Sequence, residues 1–124
     1  MSRAIDWRGV FAVLVTPFTD DQSIDVESLR RQIRFCVACG VQAVVGPVVA
    51  SEFFTLSDDE RRLFYRVTVA ELGSKIPYVA GVSGTSGPHA AELALAAAGA
   101  GADAILAMPP YVTAGNHRER GVQP

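Results

Sequence analysis

Continuous apolar runs alternate with amphipathic segments along this chain. The run at 10–15 ends in Thr16-Pro17, where proline removes a backbone donor, so it predicts a strand buried on both faces. Three further apolar runs predict the second, third and fourth strands, at 41–49, 76–82 and 102–108. Uniformly apolar strands are typical of a parallel sheet that is covered on both sides.

The intervening segments carry helix start and stop signals. Asp25 is placed to cap the first helix, with Ile24 and Leu29 as a hydrophobic staple, and Gly40 ends it. The segment 57–60 is a capping box that opens a second helix reaching about 72. Gly87-Pro88 starts a third helix that reaches about 100. The predicted order is β-α-β-α-β-α-β, an α/β fold whose right-handed crossovers make the four strands parallel.

Composition narrows the function classes. The chain has 124 residues, of which 49% are hydrophobic, which is enough for one core and too little for two ordinary domains. A net charge of -2 gives no basic surface for nucleic acid, so we expect no nucleic-acid partner. No apolar run reaches the roughly 20 residues of a bilayer span. Near the N-terminus, charged residues recur before any apolar run is long enough to be the core of a signal peptide. We therefore expect no membrane partner and a cytoplasmic location.

Two short motifs carry weak chemical signals. Cys36 and Cys39 have redox or zinc spacing, but they fall in the last turn of a predicted helix, where the dipole disfavours thiolates. The glycine-rich segment 81–87 could hold a phosphate, but it lacks the P-loop and dinucleotide fingerprints and more simply forms a flexible βα loop. We expect no metal site and no cofactor.

Several blocks, read in order, carry a family resemblance. They are GVFAVLVTPF at 9–18, SEFFTLSDDER at 51–61, PYVAGV at 77–82, GADA at 101–104 and MPPY at 108–111. In these blocks the chain resembles the N-terminal half of the dihydrodipicolinate synthase and N-acetylneuraminate lyase family of class I aldolases. The resemblance implies a TIM (β/α)8 barrel in which a lysine forms a Schiff base with a 2-keto acid such as pyruvate. Aldol cleavage, aldol addition or dehydration follows.

A single-domain barrel takes about 250 residues. The resemblance therefore implies that this chain of 124 residues corresponds to the first half of such a barrel. We expect residues 1–112 to form a partial barrel domain of four strands and three helices. Residues 113–124 lose all apolar periodicity and are expected to form a disordered, non-native tail.

Schiff-base chemistry requires a lysine amine at the active site, so the positions of lysine in the chain test the implied activity. The chain has one lysine, Lys75, in the turn before the third strand. Barrel active sites lie at the opposite, carboxyl-terminal ends of the strands, so Lys75 is expected to be an ordinary solvated lysine. The family's Schiff-base lysine belongs to a later strand, so we assign no catalytic residue in this chain.

Candidate substrate-binding residues follow the predicted strands: Thr16, Ala50, Ser51, Glu52 and Tyr111. In the family the loop after the second strand commonly reads Gly-Thr-Thr-Gly-Glu, and here only Glu52 of the segment 48–52 matches it. A second tyrosine that commonly follows Tyr111 is Val112 here. These departures argue against true dihydrodipicolinate synthase activity. Three of the five candidates also have a structural alternative: Thr16 as a strand terminator, Glu52 as a loop hydrogen-bond partner and Tyr111 as a rim aromatic.

Two functional hypotheses remain open at this point. The first is a truncated 2-keto-acid lyase, inactive alone, which would take pyruvate or a similar small keto acid if completed. The second is a non-catalytic half barrel that self-associates or pairs with a full-length relative to close its strand edges, so we expect a homo-oligomer. A flavodoxin-like rearrangement is a third alternative, which no cofactor fingerprint recommends.

Overall fold

The computed structural model describes residues 4–110. Its strands and helices follow the predicted order: β1 Phe11–Val13, α1 Val26–Ala38, β2 Ala43–Gly46, α2 Asp58–Leu72, β3 Tyr78–Gly81, α3 Gly87–Ala100 and β4 Ala104–Leu106. Two single 3-10 turns, Val49–Ser51 and Phe53–Thr55, lie between β2 and α2. No helix in this part of the chain is long and apolar enough to cross a membrane. Tyr111 and the tail at 113–124 lie outside the described residues, so the domain division stays a prediction.

Helix ends are set by local side-chain bonds, as predicted. The Asp25 carboxylate accepts a hydrogen bond from the Ser28 backbone N–H at 3.0 Å. At α2 the capping box is complete, because Ser57 Oγ accepts from Glu60 N–H at 3.1 Å and the Glu60 carboxylate accepts from Ser57 N–H at 2.9 Å. Gly73 ends α2 in the left-handed conformation, with φ of 54°.

The four strands form one parallel sheet in the order β1-β2-β3-β4. The register pairs Ala12 with Val44 and Val44 with Tyr78, so these three residues share one face. Val44 and Tyr78 belong to the buried core that the helices cover. Its other members come from α1, α2, α3 and the strand ends, and they include Leu14, Leu29, Ile33, Phe64, Tyr65, Leu72, Ala80, Val82, Leu93 and Ala97.

The predicted strands were too long, and burial on both faces, which was predicted for the first run, was wrong. Only Phe11–Val13 of the first run and Ala104–Leu106 of the fourth are strand, and Val13, Val15 and Leu106 are exposed. The physical reason is that β1 and β4 are the edges of the sheet among residues 4–110, where each has one neighbouring strand. The apolar runs therefore predicted that each strand exists, but they did not predict where it ends or how many strands lie beside it.

The central runs are also shorter than predicted. The second run leaves the sheet after Gly46, where the chain turns through Pro47 into the 3-10 turn Val49–Ser51. The third run is strand at Tyr78–Gly81 alone. Gly81 lies so close to this turn that a Cβ atom built on it would be 1.8 Å from the Pro47 carbonyl oxygen. The sheet therefore packs directly beneath the loop that carries most of the candidate residues.

Candidate active site

The residues that follow β1, β2 and β3 come together at the carboxyl-terminal ends of the strands, because all the strands of a parallel sheet end on the same side. We call this region the mouth, defined as Thr16, the loop 48–52 and the loop 83–85. The structure places four of the five predicted site residues there: Thr16, Ala50, Ser51 and Glu52. The fifth, Tyr111, lies beyond the described part of the chain.

Thr16 and Ser51 contact each other directly. The Thr16 hydroxyl donates a hydrogen bond to the Ser51 carbonyl oxygen at 2.6 Å. The Ser51 hydroxyl donates in return to the Leu14 carbonyl oxygen and accepts from the Val48 backbone N–H, the latter at 3.0 Å. Both hydroxyl groups are buried. Their protons are therefore used to fasten the loop to the end of β1, which favours the structural alternative for Thr16.

Ala50 and Glu52 are exposed at the mouth. Glu52 adopts a left-handed backbone conformation, with φ of 58°, and its N–H donates to the Val49 carbonyl oxygen at 2.9 Å. The N–H groups of Val49 and Ala50 find no acceptor within residues 4–110. The loop therefore presents two neighbouring amide donors, where the resemblance leads one to expect threonine hydroxyls as well.

Two buried tyrosines brace the strand ends beneath the mouth. Tyr78 Oη donates to the Gly46 carbonyl oxygen and Tyr65 Oη donates to the Gly81 carbonyl oxygen, each at 2.7 Å. Burial raises the pKa of Tyr65 and raises the pKa of Tyr78 well above 10. Both phenols therefore remain protonated donors at neutral pH.

Arg61 is a buried cation that sequence reasoning missed. Its guanidinium donates to the carbonyl oxygens of Ser83 at 2.5 Å and Gly81 at 3.0 Å, and it lies 5.1 Å from the centre of the Phe53 ring. The Ser83 hydroxyl in turn accepts from the Met108 backbone N–H at 2.9 Å. A signal was present, because Arg61 stands three and four positions before the buried pair Phe64 and Tyr65, on the helix face that packs inward.

A histidine–aspartate pair links the first turns of α2 and α3. His89 Nε2 lies 2.9 Å from Asp58 Oδ1, and His89 Nδ1 lies 3.1 Å from the Thr85 backbone nitrogen. The bond from His89 is the main reason that the pKa of Asp58 is lowered from 3.8. Through Thr85, this pair holds the loop 83–85 of the mouth in place.

Among residues 4–110 the structure places no lysine amine at the mouth. Lys75 is exposed and lies between α2 and the start of β3, at the end of the sheet opposite the mouth. Over residues 4–110, no three side chains of the metal-binding types gather into a candidate metal site. The described part of the mouth can therefore offer amide donors and a carboxylate, and it offers no nucleophilic amine.

Comparisons with known proteins agree with this architecture. The model of the dihydrodipicolinate synthetase family matches residues 6–120. The chain belongs to the dihydrodipicolinate synthetase family. A 4-hydroxy-tetrahydrodipicolinate synthase from Methanothrix thermoacetophila is 38% identical over 112 residues, which are 90% of this chain and 37% of that protein. An N-acetylneuraminate lyase from Citrobacter koseri is 36% identical over 108 residues, 87% of this chain and 36% of the relative.

Solved structures of dihydrodipicolinate synthetase family proteins show the same arrangement of strands and helices. YagE from E. coli K12, a family member solved in complex with pyruvate, superposes with a TM-score of 0.86 at 25% identity. The match covers 92% of this chain and 38% of YagE. The described strands and helices therefore form the N-terminal part of a TIM barrel, and the chain spans about 37% of the length of the first relative.

Proposed function

We propose that this chain provides the keto-acid-binding mouth of a Schiff-base lyase site and lacks the amine that performs the chemistry. The observation that carries the proposal is the mouth itself, in a chain of this family. Its loop is fastened to β1 by Thr16 and Ser51, and the adjacent amides of Val49 and Ala50 stand without acceptors within residues 4–110. Neighbouring backbone N–H groups that have no acceptor are suited to an ionised carboxylate.

The ligand that fits these donors is a small 2-keto acid. YagE, which was solved in complex with pyruvate, supports this ligand class. With Val49 and Ala50 where the family commonly has threonines, binding here rests on backbone groups. No hydroxyl at these two positions can relay a proton, so we do not propose dihydrodipicolinate synthase activity for this chain.

Covalent catalysis needs a deprotonated amine that attacks the keto carbonyl, after which loss of water gives an iminium electron sink. The one lysine of the chain is Lys75, and it lies at the opposite end of the sheet. We therefore expect the 124-residue chain to bind the keto acid and to leave it chemically unchanged.

Binding is tested by titrating the 15N-labelled chain with pyruvate and following its amide resonances. Saturable shifts are expected at Val49 and Ala50, with smaller shifts at Thr85. Methyl pyruvate is the matched ligand, because it keeps the ketone and loses the carboxylate charge. Equal shifts with the ester, or shifts confined to residues away from the mouth, would overturn the proposal.

A further inference from the structure

The imidazole ring of His89 contacts two partners of opposite kind. Its Nδ1 atom accepts a hydrogen bond from the Thr85 backbone N–H at 3.1 Å. Its Nε2 atom lies 2.9 Å from Asp58 Oδ1, and an ionised carboxylate can only accept a hydrogen bond. One form of the ring satisfies both contacts, the neutral imidazole with its proton on Nε2. The two contacts therefore specify both the tautomer and the charge of His89.

The loop 83–85 is fixed at both of its ends. At the inner end, the Ser83 carbonyl oxygen accepts from the Arg61 guanidinium and the Ser83 hydroxyl accepts from the Met108 backbone N–H. At the outer end, Thr85 is exposed and its backbone N–H donates to His89. The bond to His89 is therefore the part of this arrangement that depends on a group which titrates near neutral pH.

The ring of His89 has little room to move. A Cβ atom built on Gly84 would lie 2.8 Å from His89 Nδ1 and 2.9 Å from the Ala90 backbone nitrogen, so the backbone of the loop packs directly against the ring. On the other side, Asp58 holds Nε2, and this bond becomes stronger when the ring is a cation. A change at Nδ1 is therefore accommodated by the loop and not by the ring.

The charged groups around His89 come from the two helices. On α2 they are Asp58, Arg61 and Arg62, and both arginines act on Asp58 through their charge. On α3 the nearest in sequence is Glu92, three positions after His89, and the loop itself carries no charged residue. Asp58 favours the protonated ring, whereas the positive end of α3 opposes it, since His89 lies in the first turn of that helix.

We infer that His89 is a positioning residue, which holds the outer end of the loop 83–85 when it is neutral and releases it when it is protonated. Protonation converts Nδ1 from an acceptor into a donor, so the Thr85 N–H loses its partner. The Thr85 hydroxyl, 3.4 Å from Nδ1, can accept a hydrogen bond from the cation instead. The mouth therefore contains a loop whose outer end responds to pH. The inference does not rest on keto-acid binding, because it concerns the chain without a ligand.

The test is an NMR titration of the ligand-free, 15N-labelled chain between about pH 5 and 8, where histidine ordinarily changes its charge. The imidazole nitrogens of His89 report its tautomer and protonation, and the Thr85 amide reports the state of the loop. We expect the proton on Nε2 at the basic end and a Thr85 amide shift with the same midpoint as His89. Hydrogen-exchange protection of this amide should fall about five- to tenfold on protonation, the effect of losing one hydrogen bond.

His89→Gln is the decisive variant, because glutamine can still donate to Asp58 and does not titrate. In this variant the Thr85 amide should no longer respond to pH over the same range. His117→Gln removes the other histidine of the chain and is the matched control, which should keep the wild-type transition. Asp58→Asn removes the negative charge that favours the protonated ring, so it should move the transition to lower pH.

Three results would overturn the inference: a Thr85 amide that does not follow His89, a proton on Nδ1 at the basic end, and a transition that persists in His89→Gln. If the glutamine variant does not fold, the titration of the wild-type chain decides the question alone. A failure to bind pyruvate would overturn the proposed function and leave this inference standing, because the titration contains no ligand.

Discussion

The Thr16 hydroxyl and the Ser51 carbonyl oxygen lie 2.6 Å apart, and this buried bond joins the end of β1 to the loop after β2. The Ser51 hydroxyl returns a bond to the Leu14 carbonyl oxygen. The two residues thus form a reciprocal clamp between segments 35 positions apart in sequence. Thr16, which the sequence predicts to bind a ligand, instead uses its hydroxyl in the folded chain to hold the loop of the mouth in place.

Removing the Thr16 hydroxyl should destabilise the fold. Thr16→Val keeps the shape and leaves the Ser51 carbonyl without this donor, which costs about 1–3 kcal/mol for a buried group. Urea unfolding at fixed protein concentration measures the change in the free energy of unfolding. Thr16→Ser, which keeps a hydroxyl, is the matched control and should lose less. Equal stability of the valine and serine variants would contradict the clamp.

The clamp should also show coupling between its two residues. Ser51→Ala leaves the Leu14 carbonyl and the Val48 N–H without their partner, so it should destabilise the fold to a similar degree. Once one bond is lost the loop relaxes, so the double variant should cost less than the two single costs together, with an interaction energy of about 0.5 kcal/mol or more. Strict additivity in the unfolding cycle would show that the bonds act independently.

Stability should fall at alkaline pH because of Tyr78. Its pKa is raised well above 10 by burial, while an unfolded tyrosine titrates near 10. Above that pH the unfolded chain has lost a proton that the folded chain keeps. The contribution of Tyr78 to the free energy of unfolding is therefore constant below the unfolded value and decreases as the pH rises toward the folded pKa.

Tyr78→Phe tests this slope. The variant should be less stable near neutral pH, by about 1 kcal/mol for the bond to the Gly46 carbonyl oxygen, and its stability should decrease less steeply above pH 10. Lys75→Gln, which removes the exposed lysine at the other end of the sheet, should keep the wild-type slope. An unchanged slope in Tyr78→Phe would assign the alkaline transition to another group.

The pair of Asp58 and His89 makes an acid-side prediction. Because the His89 bond is the largest cause of the lowered Asp58 pKa, His89→Ala should raise that pKa toward its ordinary value. The stabilisation is present above the unfolded value and is lost as the pH falls through the folded pKa of Asp58. Carboxyl NMR titration measures the shift, and Arg62→Gln should produce a smaller one, since Arg62 acts only through its charge.

Local features of this fold were predictable from sequence and long-range ones were not. The capping box of Ser57 and Glu60 and the left-handed end at Gly40 involve neighbours within a few residues, and both predictions were correct. The exposure of Val13 depends on which strands lie beside β1, and an apolar run carries no such information. The same limit explains why Thr16 was found as a mouth residue while its bond to Ser51 was not.

Arg61 shows a different kind of limit. Arginine is ordinarily read as a surface residue, yet the spacing to Phe64 and Tyr65 places this one on the buried face of α2. Its burial is made possible by the carbonyl oxygens of Gly81 and Ser83, which come from the following βα unit. The helical period could have identified the position, while its partners required the folded chain.

The most direct test of the proposed function is the intact mass of the purified 124-residue chain after borohydride treatment in the presence of pyruvate. A mouth without an amine predicts an unchanged mass, because no iminium forms that borohydride could trap. A stable pyruvate adduct that peptide mapping places on Lys75 would contradict the proposal. It would mean that the one lysine of the chain performs the chemistry from the opposite end of the sheet.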